Sequence, residues 1–228
     1  MRVKEKLLMD LAGLTEQGPI NIVIFGDSIS HGYLIDTVDY ENVYWNRLKK
    51  KLNAFRCFIP VNMINAAIGG TTATASLMRM EKQVFCHKPD LVIICFGLND
   101  VNGPLDEYLG SLKYIFQRCQ NADCDAIFMT PNMLNTYVAD DTPAEHRNYA
   151  RITAEMQNSG RMDRYIYAAV QLAQEMDIPV CDCYSAWKKL SETDDTTQLL
   201  ANRINHPIAE MHKLFAEMLY PMIMEEDM

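Results

Sequence analysis

Two short stretches constrain the fold of this chain more than anything else in it, residues 20–25 and 91–96. In the first, Ile20, Ile22, Val23, Ile24 and Phe25 leave Asn21 as the single polar residue. The second, Leu91, Val92, Ile93, Ile94, Cys95 and Phe96, is apolar without a break. Pro19 and Gly26 bound the first run, and Pro89 and Gly97 lie at or near the ends of the second. Short, β-branched runs without alternation are the signature of strands buried on both faces. A strand with no polar face needs cover on two sides, so the remaining chain has to supply two layers.

Weaker apolar runs at 58–64, 126–129 and 178–183 read as further strands. Between them, stretches 40–55, 105–119, 165–176 and 208–218 carry apolar residues at three- and four-residue intervals, the spacing of an amphipathic helix. Strands alternating with helices imply a parallel sheet covered on both faces. With right-handed crossovers, the expected class is α/β, a flavodoxin-like three-layer α/β/α sandwich on a central, mainly five-stranded parallel sheet. All 228 residues are expected to form one domain, since a chain of this length can share one core. Residues 1–18 read as an N-terminal amphipathic helix. Residues 130–160, with Pro131, Pro143 and the pair Asp140 and Asp141, read as a loop insertion at the active site, in which 144–156 could be helical.

Composition narrows the function classes. Thirty acidic against 21 basic residues leave a net charge of -9 and no basic stripe, which speaks against nucleic acid and anionic membrane as partners. No apolar run approaches the ~18 residues of a transmembrane helix, and Asp10 cuts short any signal-peptide core. The seven cysteines are odd in number, form no Cys-x-x-Cys and lie partly inside apolar runs. That pattern suits reduced thiols in the cytoplasm and argues against a zinc site. Neither glycine-rich phosphate cradle, Gly-x-Gly-x-x-Gly or Gly-x-x-x-x-Gly-Lys, is present. The oligomeric state leaves no trace in the sequence.

In a parallel sheet, chemistry belongs outside the carboxyl ends of the strands. The first strand delivers Gly26, Asp27, Ser28, Ile29, Ser30 and His31 there. The second delivers the segment 65–72 with Gly69 and Gly70, the third Gly97, Asn99 and Asp100, and the segment before the last helix brings Asn205, His206 and Pro207. A hydroxyl, a glycine turn, a carboxamide and an imidazole on one edge are the parts of acyl transfer. His31, three residues past Ser28, either reaches the site or, the favoured reading, is a polar residue of a helix start, and His212 reads as unable to pair with His206 on a metal, being six positions further along a helix.

These four blocks, spanning 25 to 207, resemble those of the SGNH hydrolases, also called GDSL-type esterases and lipases. The resemblance implies the same sandwich fold and a serine esterase acting on a small or carbohydrate-linked carboxylic ester, with no metal or organic cofactor. It assigns Ser28 as nucleophile and His206 as base. The oxyanion hole falls to the N–H groups of Ser28 and Gly70 and the Asn99 amide. One position departs from the pattern. The family places an Asp three residues before the His, and here that residue is Arg203. Arg has no acceptor for the Nδ1–H and carries a fixed charge that would depress a neighbouring imidazole. Three outcomes are open. Asp182, Asp194, Asp195 or a main-chain carbonyl orients His206; or Ser28 and His206 act as a dyad with Arg203 turned to solvent or to an anionic substrate; or the site only binds, as a catalytically impaired module on the same fold. Asp27 joins Asp182 and Arg203 as a further candidate for an acid or a site-lining residue. A flavodoxin-like regulatory or flavin domain is the remotest reading.

Overall fold

The structure is a computed structural model, and residues 1–224 are described. Five parallel strands, β1 (Ile20–Gly26), β2 (Val61–Asn65), β3 (Leu91–Cys95), β4 (Asp125–Met129) and β5 (Val180–Cys181), lie in the order β2-β1-β3-β4-β5. This is the flavodoxin-like order, with its switch point between β1 and β3. The two apolar runs are the neighbours at that switch point, Ile22 to Gly26 registered against Leu91 to Cys95, and all five residues of β3 are buried. Helices cover both faces. Arg2–Leu7, Tyr44–Phe55 and His212–Met224 form one layer; Leu105–Asn121, Arg147–Asn158 and Arg161–Glu175 form the other. One buried cluster runs from Val3 to Ile223 and includes side chains from every strand.

Several boundaries differ from the sequence expectation, each for a local reason. The segment 1–18 is two helices, Arg2–Leu7 and Leu11–Gln17, because the Asp10 carboxylate accepts the Gly13 N–H and starts a new helix. The run 178–183 yields only two strand residues. Pro179 has no N–H to give to the ladder, and Asp182 turns outward to cap the helix Cys183–Leu190. The helix expected from 40 begins at Tyr44, since Asp39 gathers the N–H groups of Glu41 and Asn42 into a turn. That expected at 208–218 runs His212–Met224 after a single 3-10 turn. Within 130–160, residues 130–143 are irregular, and the helix Arg147–Asn158 follows a 3-10 turn at Ala144–His146.

The first helix is tied to the sheet by a mostly buried ion pair. Lys6 Nζ lies 3.0 Å from Asp90, whose carboxylate also accepts the Asn21 N–H at the entrance of β1. The two side chains are 10% and 15% exposed, so removing one partner strands the other in a poorly solvated place. Asp90→Ala is expected to lower unfolding stability by about 3 kcal/mol, read by urea denaturation, the usual cost of leaving a buried charge unpaired.

Candidate active site

Close packing aims the end of β1. A Cβ on Gly26 would come within 2.6 Å of the Cys95 carbonyl oxygen and of Ser30 Oγ, so only glycine lets β1 and β3 approach here. The chain then turns into the one-turn helix Ser28–His31, capped by the Asp27 carboxylate accepting the Ile29 N–H at 3.0 Å. Ser28 begins that helix at the mouth of a cavity of about 420 Å³, whose lining includes Tyr33, Gly70, Asn99, Tyr149 and His206. A larger cleft of about 650 Å³, walled by Tyr137, Asn158, Asp163, Lys188 and Asp195 among others, has no histidine in its lining. The smaller cavity is where acyl chemistry has its parts.

Ser28 Oγ lies 3.0 Å from His206 Nε2, and His206 Nδ1 lies 2.7 Å from the main-chain oxygen of Leu34. A carbonyl only accepts, so Nδ1 carries the proton and Nε2 is left bare to accept from the serine hydroxyl. Burial pushes the His206 imidazole below its ordinary pKa, partly offset by the Leu34 carbonyl, which favours the charged ring. The arrangement can therefore hold a neutral base against a hydroxyl at neutral pH. The loop that delivers His206 is organised by Asn202, whose side-chain oxygen accepts the N–H groups of Ile204, Asn205 and His206.

None of the three candidate aspartates orients His206. Asp182 caps the helix Cys183–Leu190 and accepts from the Thr130 hydroxyl and the Ser185 N–H. Asp195 accepts from the Tyr137 hydroxyl and the Thr197 N–H, and Asp194 from the Thr193 hydroxyl. Of the alternatives open in the sequence, the main-chain carbonyl is the one in place. Arg203 does not sit against His206, and the depression expected from its charge comes from burial instead. Its backbone is left-handed, φ 58°, and its guanidinium binds Asp141 at 2.9 Å and the carbonyls of Gln198 and Leu200. The residue that replaces the family's acid is a strut between the His206 loop and residues 139–142.

Ser28, Gly70 and Asn99, the expected oxyanion donors, line one cavity. Among the described residues the N–H groups of Ser28 and Gly70 have no acceptor, and Gly70 holds φ +75°, where a side chain would be strained. The Asn99 amide also faces this cavity, but it already donates to the Thr71 carbonyl at 3.1 Å and to Asp27 at 3.3 Å. Asp27 is fully buried, and desolvation, with the nearby Asp100 carboxyl adding, pushes its pKa to about 7. As charge arrives on Asp27 above that pH, its hold on the Asn99 amide strengthens, in competition with any oxyanion using the same donor.

Three contributors left no motif. The Leu34 oxygen is main chain, and no sequence signal marks a carbonyl. Arg79, stacked on Phe25, donates to the carbonyls of Ala66 and Gly26 and so ties the ends of β2 and β1. His31 accepts the Gly69 N–H at 3.3 Å, so it is more than a polar residue of a helix start. His212, buried between Tyr44 and Phe215, is held neutral by burial, its pKa pushed down to about 3, and stands apart from the cavity.

If Arg203 is a strut, Arg203→Met costs about 1.5–3 kcal/mol of unfolding stability, the range for hydrogen bonds involving a charged group. The His206 titration, followed by NMR, stays below the ordinary value near 6.5 in both forms. A rise above it in the variant would place Arg203 in contact with the imidazole.

Solved structures of other proteins share this fold. A lipase/acylhydrolase from Enterococcus faecalis is similar in structure, with TM-score 0.72 and 25% identity over 90% of this chain and 95% of that one. An acetylxylan esterase from Geobacillus stearothermophilus has TM-score 0.70 and 21% identity over 91% and 95%, which speaks for the fold. In sequence, an acetylxylan esterase from the same organism is 25% identical over 168 residues, 68% of this chain and 69% of its own length. The lipoprotein YqeF of Bacillus subtilis is 33% identical over 95 residues, and the matching part spans 37% of its length. Among the described residues no helix is long and apolar enough to cross a membrane. Residues 24–214, from inside β1 to the start of the last helix, match the GDSL-like Lipase/Acylhydrolase family, and the chain belongs to it.

Proposed function

We propose that this protein is a serine esterase that cleaves a small or carbohydrate-linked carboxylic ester through an acyl-enzyme on Ser28. The observation that carries the reading is the line from Leu34 O through His206 to Ser28 Oγ, at 2.7 and 3.0 Å. His206 Nε2 takes the hydroxyl proton as Ser28 attacks the ester carbonyl, and returns it to the leaving alcohol. A water then repeats the sequence and releases the acid. The developing oxyanion is met by the N–H groups of Ser28 and Gly70, and by Asn99 once its amide turns from the Thr71 carbonyl or Asp27. Leu34 does the orienting work of a triad carboxylate without its charge, so the imidazolium is stabilised by a dipole alone.

The substrate class rests on the cavity and on the relatives. Tyr33, Ile35 and Tyr149 offer flat and apolar walls beside Ser28, and the space suits a small acyl group joined to a ring-sized alcohol. The acetylxylan esterase relative acts on a carbohydrate ester by name, which favours that alcohol class. A cytoplasmic setting is supported by the unpaired state of the cysteines, Cys95, Cys119, Cys181 and Cys183 among them buried. The alternative of a catalytically impaired binding module rests on Arg203 standing where the family has an Asp; the Leu34 carbonyl on His206 Nδ1 favours the esterase.

Hydrolysis of p-nitrophenyl acetate should be lost on Ser28→Ala by at least about 10⁴-fold in kcat, as for other serine nucleophiles. Activity that survives the substitution would overturn the proposal. A fluorophosphonate should label Ser28, whereas saturable ester binding without labelling would return the binding module. The pH profile has a defined sign. The neutral imidazole is the working form and burial lowers its pKa, so kcat/KM should hold down through 6.5 and fall tenfold per unit only below the depressed value.

A further inference from the structure

Residues 68–71 form a tight turn, closed by the Thr71 N–H donating to the Ile68 carbonyl at 3.3 Å, with Gly70 third and at φ +75°. A positive φ at that position is the mark of a type II turn. The peptide unit between Gly69 and Gly70 is the central one of the turn. Two glycines impose little steric resistance to rotating it, and rotation would turn the Gly70 N–H away and present the Gly69 carbonyl instead. An oxyanion donor on such a unit needs restraint from outside the turn.

That restraint comes from the segment following Ser28. His31 Nδ1 accepts the Gly69 N–H at 3.3 Å, so Nδ1 is bare and the ring proton sits on Nε2, which faces the Tyr40 hydroxyl at 3.2 Å. The Tyr33 ring packs edge-on against His31 and so close to Gly69 that a Cβ there would lie 2.9 Å from it. The Ile68 N–H is fixed to the Gly26 carbonyl at 3.1 Å. The peptide before the central one is thus held at both ends, its N–H by His31 and its carbonyl by the turn's closure, and the peptide after it is held by the Thr71 N–H.

We propose that His31 is a positioning residue for the oxyanion side of the site, its Nδ1 holding the Gly69–Gly70 turn so that the Gly70 N–H faces the space above Ser28. The proposal rests on the reading of Ser28 and Gly70 given above. His31 touches neither substrate nor reacting atoms in this role and acts through the turn. The segment 31–34 then serves both halves of the reaction: His31 holds the oxyanion turn, Tyr33 wedges between Gly69 and the His206 ring, and Leu34 orients the base.

The test compares His31→Phe, which keeps a ring against Tyr33 but has no acceptor, with His31→Asn, whose amide oxygen can occupy the place of Nδ1. The readouts are kcat and KM on p-nitrophenyl acetate and the rate of Ser28 labelling by a fluorophosphonate, whose tetrahedral adduct places an oxygen in the oxyanion hole. His31→Phe should lower kcat and the labelling rate about tenfold with KM within about twofold, less than the 10²–10³ typical of deleting a donor outright. His31→Asn should recover most of that loss. Wild-type rates in His31→Phe, or an equal loss in both variants, would overturn the proposal while leaving the Ser28 reading intact. Wild-type turnover that persists in Ser28→Ala, or no labelling of Ser28 at all, would instead overturn that reading and the proposal with it.

Discussion

The structure depends on the pairing of β1 with β3, two strands that expose almost nothing polar on either face. Burying both faces of both strands forces helices above and below the sheet, and it sends the chain in opposite directions from β1, to β2 on one side and β3 on the other. The loops at their carboxyl ends diverge and open the crevice. Gly26 sets the closeness of that pairing, and Ser28 follows two residues later. Core and site are therefore one problem, because the contact that makes the sheet dense also places the serine.

Polar groups near that edge are spent on holding backbone. Asp27 caps the turn of Ser28, Asp100 accepts the Ala73 N–H after the glycine block, Arg79 ties two strand ends, and Asn202 gathers three N–H groups before His206. Burial moves the carboxyl pKa values of Asp27 and Asp100 to about 7 and about 6, so Asp27 carries reduced charge near neutrality and Asp100 loses its own only under mildly acid conditions. The proposed site thus lies over groups whose charge varies within the ordinary pH range, while its base is held neutral.

Arg203, at the position where the resemblance led to the expectation of an Asp, braces the loop of His206 without touching the ring. A carboxylate there would serve the imidazole; the arginine reaches away from it to Asp141 and two carbonyls and braces the same loop. The acceptor duty passes to Leu34, on the hairpin joined by the Tyr33–Val38 bridge, which also presents Tyr33 and Ile35 to the cavity. The walls that meet a substrate and the group that orients the proposed base belong to one short segment.

Hydrophobic periodicity made the layers and the central strands legible before any coordinates, because burial acts on every residue of a strand or helix face and leaves a repeated mark. The four blocks were legible for a related reason: a nucleophile, a glycine turn, a carboxamide and an imidazole are side-chain chemistries that few other residues can supply. Short elements were less legible, since the ends of β5 and of the first helix turn on single residues, Pro179, Asp182 and Asp10, in competition with the surrounding pattern. The acceptor on His206 was legible only as one of several candidates, and the roles of His31 and Arg203 only as open alternatives. A carbonyl is present at every position, and whether an imidazole or a guanidinium faces one partner or another depends on segments far apart in the chain. The sequence alone determined the sandwich and the set of reactive groups, because composition and periodicity encode burial and chemistry; tertiary structure alone decided which acceptor faces His206, because a hydrogen bond is settled by position and direction.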